Sequence, residues 1–139
     1  MSFDLKLKSG NLSISNGDLE TVSGSDKLIQ DILKVCLTEA GSNVIFPWYG
    51  SYVSKTMIGS TLDPSITLDY AKTQLTNSIN TLKSLQETQS TYQNVSADEL
   101  IYALSGVSIT RNKYDPTLFS VMVRVMAKNF KLSTATFNI

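Results

Sequence analysis

The chain contains no histidine. That absence excludes a Ser-His-Asp or Cys-His nucleophile and the zinc sites built from the commonest ligand sets. It contains a single cysteine, Cys36, so no disulfide can form within the chain and no Cys-x-x-Cys redox motif exists. Cys36 lies inside a helical apolar pattern, where it reads as a small core residue kept reduced. Neither sign of charge is in excess, with twelve basic and twelve acidic side chains. A protein that binds nucleic acid by neutralising phosphates is not expected from that balance. Nowhere do the roughly twenty consecutive apolar residues of a membrane-spanning helix occur. The opening residues, Met1-Ser2-Phe3-Asp4-Leu5-Lys6, lack the apolar core of a secretory leader, so folding in a cytoplasm is expected. Walker loops and dinucleotide fingerprints are missing too, and no cofactor or metal is expected.

What is present fits one domain. At 139 residues the chain is long enough to bury a core without staples. The stretch Asp26 to Gly50 organises it. Leu28, Ile29, Ile32, Leu33 and Cys36 recur at helical spacing and form one apolar stripe. Ser25 or Asp26 is the expected cap, and Gly41 supplies permissive backbone beyond the helix end. Val44-Ile45-Phe46-Pro47-Trp48-Tyr49-Gly50 follows, with Pro47 stiffening it. The expectation is a buried helix crossed by an extended aromatic strap.

Before this stretch, Phe3, Leu5 and Leu7 alternate with charged residues, as a half-buried strand does. Ser9-Gly10-Asn11 and Asn16-Gly17-Asp18 are turn signals. Their echo is too short to establish a repeat, and a meander of short strands is expected. The Asn and Asp spacing does not match an EF-hand loop. After it, Ser51 to Ile58 suits a short helix that Gly59-Ser60-Thr61 ends. Asp63-Pro64 opens a long helix to about Gln89, carried by Leu68, Ala71, Leu75, Ser78 or Ile79, Leu82 and Leu85. Its Thr, Ser, Asn and Gln content makes it weak in isolation. The seam must therefore pack on the first helix or on another chain.

Ser96-Ala97-Asp98-Glu99 is a capping box, expected to open a turn through Leu100, Ile101 and Leu104. Beyond it, strands are expected over Val107 and Ile109, over Leu118 to Ala127, and over Leu132 to Ile139. Arg111 to Pro116 and Lys128 to Lys131 connect them. Together they form a three-stranded antiparallel meander, and the fold class is α+β with a helical core. Val121, Val123 and Val125 share one face of the middle strand, with Met122, Arg124 and Met126 opposite. The last strand carries no charge and no proline, so nothing protects its edge. Either a partner uses that edge, or a loop or the N-terminal strands cover it.

Chemistry is sparse. Glu39 is the best-placed glutamate for a glycosidase acid, but no neighbouring motif supplies the second carboxylate. Trp48, Tyr49 and Tyr52 are expected in the core rather than in a sugar platform.

The order of these pieces resembles the baseplate wedge, or sheath-initiator, proteins of contractile phage tails. Related proteins occur in contractile injection systems and type VI secretion baseplates. The likeness rests on Gly17-Asp18-Leu19, a helix of the Leu-Ile-Gln-Asp-Ile type, Leu37-Thr38-Glu39-Ala40-Gly41, and Pro47-Trp48-Tyr49-Gly50. It is good over residues 12–58 and follows the tail by pattern. Relatives often place an acidic and a basic residue directly after the turn glycine; Ser42 and Asn43 stand there in this chain.

The resemblance implies a non-enzymatic structural protein of the virion, in the tail baseplate, assembled in the host cytoplasm. It implies wedge subunits, the tail tube or its initiator, and the sheath protein as partners, with no nucleic acid and no membrane. Val121, Val123, Val125, Ala135, Thr136 and Phe137 are the expected strand interface, and Pro47, Trp48, Tyr49 and Gly50 a core or wedge contact. A lysozyme-type glycosidase of the tail tip is the alternative, with Glu39 as acid.

Overall fold

The computed structural model describes residues 2–57, 63–115 and 118–139. Ile58, Gly59-Ser60-Thr61 and Pro116, which the sequence assigns to a helix end, a stop and a connection, lie outside the described residues.

The N-terminal region is a repeat after all. Residues 4–10, 11–17 and 18–24 read Asp-Leu-Lys-Leu-Lys-Ser-Gly, Asn-Leu-Ser-Ile-Ser-Asn-Gly and Asp-Leu-Glu-Thr-Val-Ser-Gly. Each unit contributes two tiny strands: β1 (Asp4–Leu5) and β2 (Leu7–Lys8), β3 (Asn11–Leu12) and β4 (Ile14–Ser15), β5 (Asp18–Leu19) and β6 (Thr21–Val22). The strands pair β2 with β3, β4 with β5, and β1 with β6, which closes a ring. At the ring's centre the Lys6 amide donates to Glu20, Ser13 to Lys6 and Glu20 to Ser13, each at 2.9 Å. Two of the turns carry positive φ at both central residues, 53° and 81° at Ser9-Gly10, 51° and 82° at Asn16-Gly17. That backbone twists with the strands and suits a two-residue hairpin loop. Short motifs of two residues per strand hide such a ring from period-two counting.

Gln30 ties the ring to helix α1 (Gly24–Leu37). Its side-chain amide donates to the Leu5 carbonyl at 2.9 Å and accepts from the Leu7 amide at 3.0 Å. Asp4 pairs with Lys34 beside it. The cap of α1 differs from expectation. Ser23 occupies the cap position without a side-chain bond. A free amide of the first turn, that of Gly24, instead donates to Glu99 Oε1 at 3.0 Å.

Leu28, Ile32, Val35 and Cys36 of α1 are buried. Helix α2 (Val53–Met57) and helix α3 (Pro64–Tyr92) follow. Asp63 caps α3 by accepting from the Ser65 amide at 2.9 Å, with Pro64 at the first helical position. Ala71, Leu75, Ser78, Ile79 and Leu82 make the buried seam, and its partners are within the chain: α1, α2 and the C-terminal sheet. Threonine and serine hydroxyls along α3 bond back to carbonyls one turn earlier, for example Thr76 to Lys72 at 2.9 Å, which satisfies them without tertiary partners.

The capping box at Ser96 forms, around a single short turn over Ala97–Glu99. The chain does not stay helical to Leu104. Strand β7 (Ile101–Arg111) begins at once, because Gln86 accepts from the Ile101 amide at 2.9 Å and Ile101 pairs with Ala127. Strands β8 (Phe119–Ala127) and β9 (Leu132–Asn138) complete an antiparallel sheet in the order β7-β8-β9. Helix α3 lies over β7 and helix α1 over β9, both on one face. Val121, Val123, Val125, Ala135 and Phe137 point into the core between sheet and helices. The observed class is the α+β fold the pattern predicts.

Candidate interaction surfaces

The two edges of the sheet are built differently. Strand β7 carries register shifts between Ile101 and Ala103 and between Leu104 and Gly106. Bulges of this kind twist an edge away from pairing. Strand β9 pairs with β8 in unbroken register from Met126↔Leu132 to Ser120↔Asn138. Phe119 and Ile139 exchange both backbone bonds, at 3.2 and 2.9 Å, and the Ala127 amide donates to Lys131 at 2.9 Å. In an antiparallel ladder such pairs alternate. Ser133, Ala135 and Phe137 therefore spend their amides and carbonyls on β8, while Leu132, Thr134, Thr136 and Asn138 aim theirs outward. Among the described residues no strand pairs with that outward side.

This placement redistributes the expected interface residues. Val121, Val123 and Val125 are 0% exposed and sit on the central strand, and Ala135 and Phe137 are buried beside them. Their side chains make the core that holds β9 straight. Thr136 alone of the six is exposed. What the edge offers is backbone, flanked by the side chains of Thr134, Thr136 and Asn138. On the outer face Met122 is partly exposed and Arg124 exposed, opposite the valines as the alternation predicts.

The aromatic stretch is the largest departure. Residues 39–51 form a loop pinned at its base: the Ala40 amide donates to Ser51 at 3.0 Å and the Ser51 amide to Thr38 at 2.9 Å. Ser51 Oγ further donates to the Cys36 carbonyl at 2.7 Å. Within the loop, Asn43 Oδ1 accepts from Ile45 at 3.0 Å and Phe46 at 3.2 Å, and Gly41 donates to Pro47 at 2.9 Å. The chain thus curls on itself and no extended strap forms. Val44 is 93% exposed, Ile45 78%, and Phe46 and Trp48 about half. Trp48 and Tyr52, expected in the core, are surface residues, and so is Pro47. Phe46, Trp48 and Tyr49 meet edge to face, with ring centres 5.7 and 6.5 Å apart. Tyr49 packs against the core. Gly50 holds φ at 115°, and a Cβ there would lie 2.5 Å from the Thr38 carbonyl; only glycine lets the loop close on α1.

A groove of about 670 Å³ lies between the N-terminal ring and α1. Leu7 and Val22 line it from the ring; Ile29, Leu33 and Leu37 line it from the helix.

Glu39 is half-exposed and paired with Lys55 at 3.2 Å, the contact of a surface ion pair rather than of a carboxyl isolated for proton donation. Cys36 is buried, and burial pushes its thiol up to about 12, so it stays protonated and inert. Among the described residues no three His, Cys, Asp or Glu side chains are placed to share a metal ion, and no helix is long and apolar enough to cross a membrane. Glu99 carries the most convergent set of contacts, and nothing local in the sequence marks its reach. It accepts from Ser2 Oγ at 2.6 Å, from Gly24 and from the Ser96 amide at 3.3 Å, while 1% exposed. Compared with family models and with curated proteins, the chain matches none.

Proposed function

We propose that the chain is a non-enzymatic assembly protein that joins its partner by strand addition at β9. The observation that carries this reading is the contrast between the two sheet edges. One is bulged twice, and the other is regular, uncharged, free of proline and open. Open edges of that kind recruit a further strand, with main-chain bonds supplying affinity. The resemblance to sheath-initiator proteins names the partner: the tail sheath protein of a contractile phage tail, whose first ring would be templated on β9. The same reading places the chain in the baseplate of the virion, near the tail tube. The exposed loop, with Phe46, Pro47 and Trp48 at its surface, is the contact for a wedge subunit. A half-exposed aromatic cluster on a pinned loop is a suitable anchor, since aromatic side chains dominate interface energetics.

Removal of residues 132–139 would take Ala135 and Phe137 out of the core and confound assembly with folding. Thr136→Pro is cleaner. It deletes an outward amide from an edge strand, where proline is tolerated, and leaves the inward residues in place. Particles carrying it, imaged by electron microscopy, are expected to show tube and baseplate without an ordered sheath. Normal sheathed tails in a variant that folds like the parent would reject the proposal.

A further inference from the structure

We propose that the β9 edge and the groove beside α1 form one binding site, which takes an extended partner segment with an apolar residue at every second position. This rests on the strand-addition reading and specifies what the strand must look like.

The geometry follows from the two flanks of α1. On one flank Lys27, Asp31 and Lys34 face α3, sharing a cleft with Leu82, Leu85 and Gln86. Helix α3 lies over β7 and α1 over β9. The other flank, carrying Ile29, Leu33 and Leu37 at spacings of one helical turn, therefore faces away from α3, beyond the free edge of β9. The ring lies over α1 through Gln30, and the groove between ring and helix is lined by Ile29, Leu33 and Leu37. A strand added to β9 lies about 4.8 Å further out, which is under this flank. Its side chains alternate between faces. Those on the side of Ala135 and Phe137 meet Ile29 and Leu33; the others lie beside Thr134, Thr136 and Asn138 in solvent.

Leu33 is only partly buried, and Leu37 is 57% exposed; an apolar strand face would cover both. The occupant is a segment of a different polypeptide rather than a second copy. Pairing β9 with β9 would bring two α1 helices within about one strand spacing, closer than the 8–10 Å that packed helices need. Because Thr134, Thr136 and Asn138 carry no charge, the solvent-facing positions of the incoming strand tolerate either sign.

The test uses the full chain and two fluorescent peptides as long as β9, of identical threonine and valine content, one strictly alternating and one block-ordered. Anisotropy titration should show the alternating peptide binding about tenfold tighter, the value of roughly one further buried apolar side chain. Leu33→Asp should erase the preference, and Leu37→Asp, at the more exposed position, should reduce it. Thr136→Pro should weaken both peptides. Equal binding of the two peptides, or a preference untouched by both α1 variants, would overturn the groove while leaving strand addition intact. Binding unchanged by Thr136→Pro, or no binding of either peptide to the parent chain, would overturn the edge as well.

Discussion

Glu99 shows how one side chain can stand in for several local signals. Burial works against its ionised form, but hydrogen bonds from Ser2, Gly24 and Ser96 outweigh burial and hold its carboxyl below the ordinary glutamate range. Its folded-state affinity for a proton is thus lower than its unfolded one. The carboxylate adds stability above the unfolded value, and that stability drains away as pH falls through the depressed folded one. Glu99→Gln keeps the shape but cannot accept three donors with a full charge. It should cost about 1–3 kcal/mol near neutral pH. In urea titrations across the acid range, parent and variant should converge as pH falls. A gap that stays constant down to the acid transition would show that the ionised carboxylate is not what joins the ring, α1 and the Ala97–Glu99 turn.

At the scale of elements, the ring of three strand pairs gives a sharper test of sequence logic, because its repeats place Ser9 and Asn16 at corresponding turn positions. Ser9 and Asn16 occupy the same place in successive repeats, at φ of 53° and 51°. Asparagine tolerates that left-handed backbone better than serine does. Ser9→Asn should therefore stabilise the fold by about 0.5 kcal/mol, read as a rise in melting temperature, and Asn16→Ser should lower it by a similar amount. If the two swaps act with the same sign, the two turns are not equivalent.

The elements also show where sequence reading succeeds and where it fails. Period-two alternation placed Val121, Val123 and Val125 on one face and located β8 and β9, since one face is buried and the other solvated. The leucine seam and Asp63-Pro64 marked α3 for the same local reasons. The cap of α1 escaped because its acceptor, Glu99, is 75 residues away, and local capping rules reach only a few. For Val44 to Trp48, apolar composition suggests burial. Asn43 and the pinned base instead turn that segment outward, which is also why it reads as an anchor for a partner.

For the molecule as a whole, the decisive feature is where backbone hydrogen bonding is left open. Two helices cover one face of three strands, β7 is bulged, and the N-terminal ring lies over α1 rather than beside β9. Among the described residues the core is therefore completed and the sheet is not. A consequence is visible in the isolated chain. The amides of Ser133, Ala135 and Phe137 are committed to β8 and should exchange with solvent deuterium slowly, at rates set by sub-global opening. Those of Thr134, Thr136 and Asn138 face outward and should exchange faster by orders of magnitude. A sawtooth of protection along β9, measured by nuclear magnetic resonance, is the expected pattern, and binding of a partner strand should flatten it. Uniform protection in the free, monomeric chain would mean that the edge is already satisfied, and the strand-addition reading would then lack its physical basis.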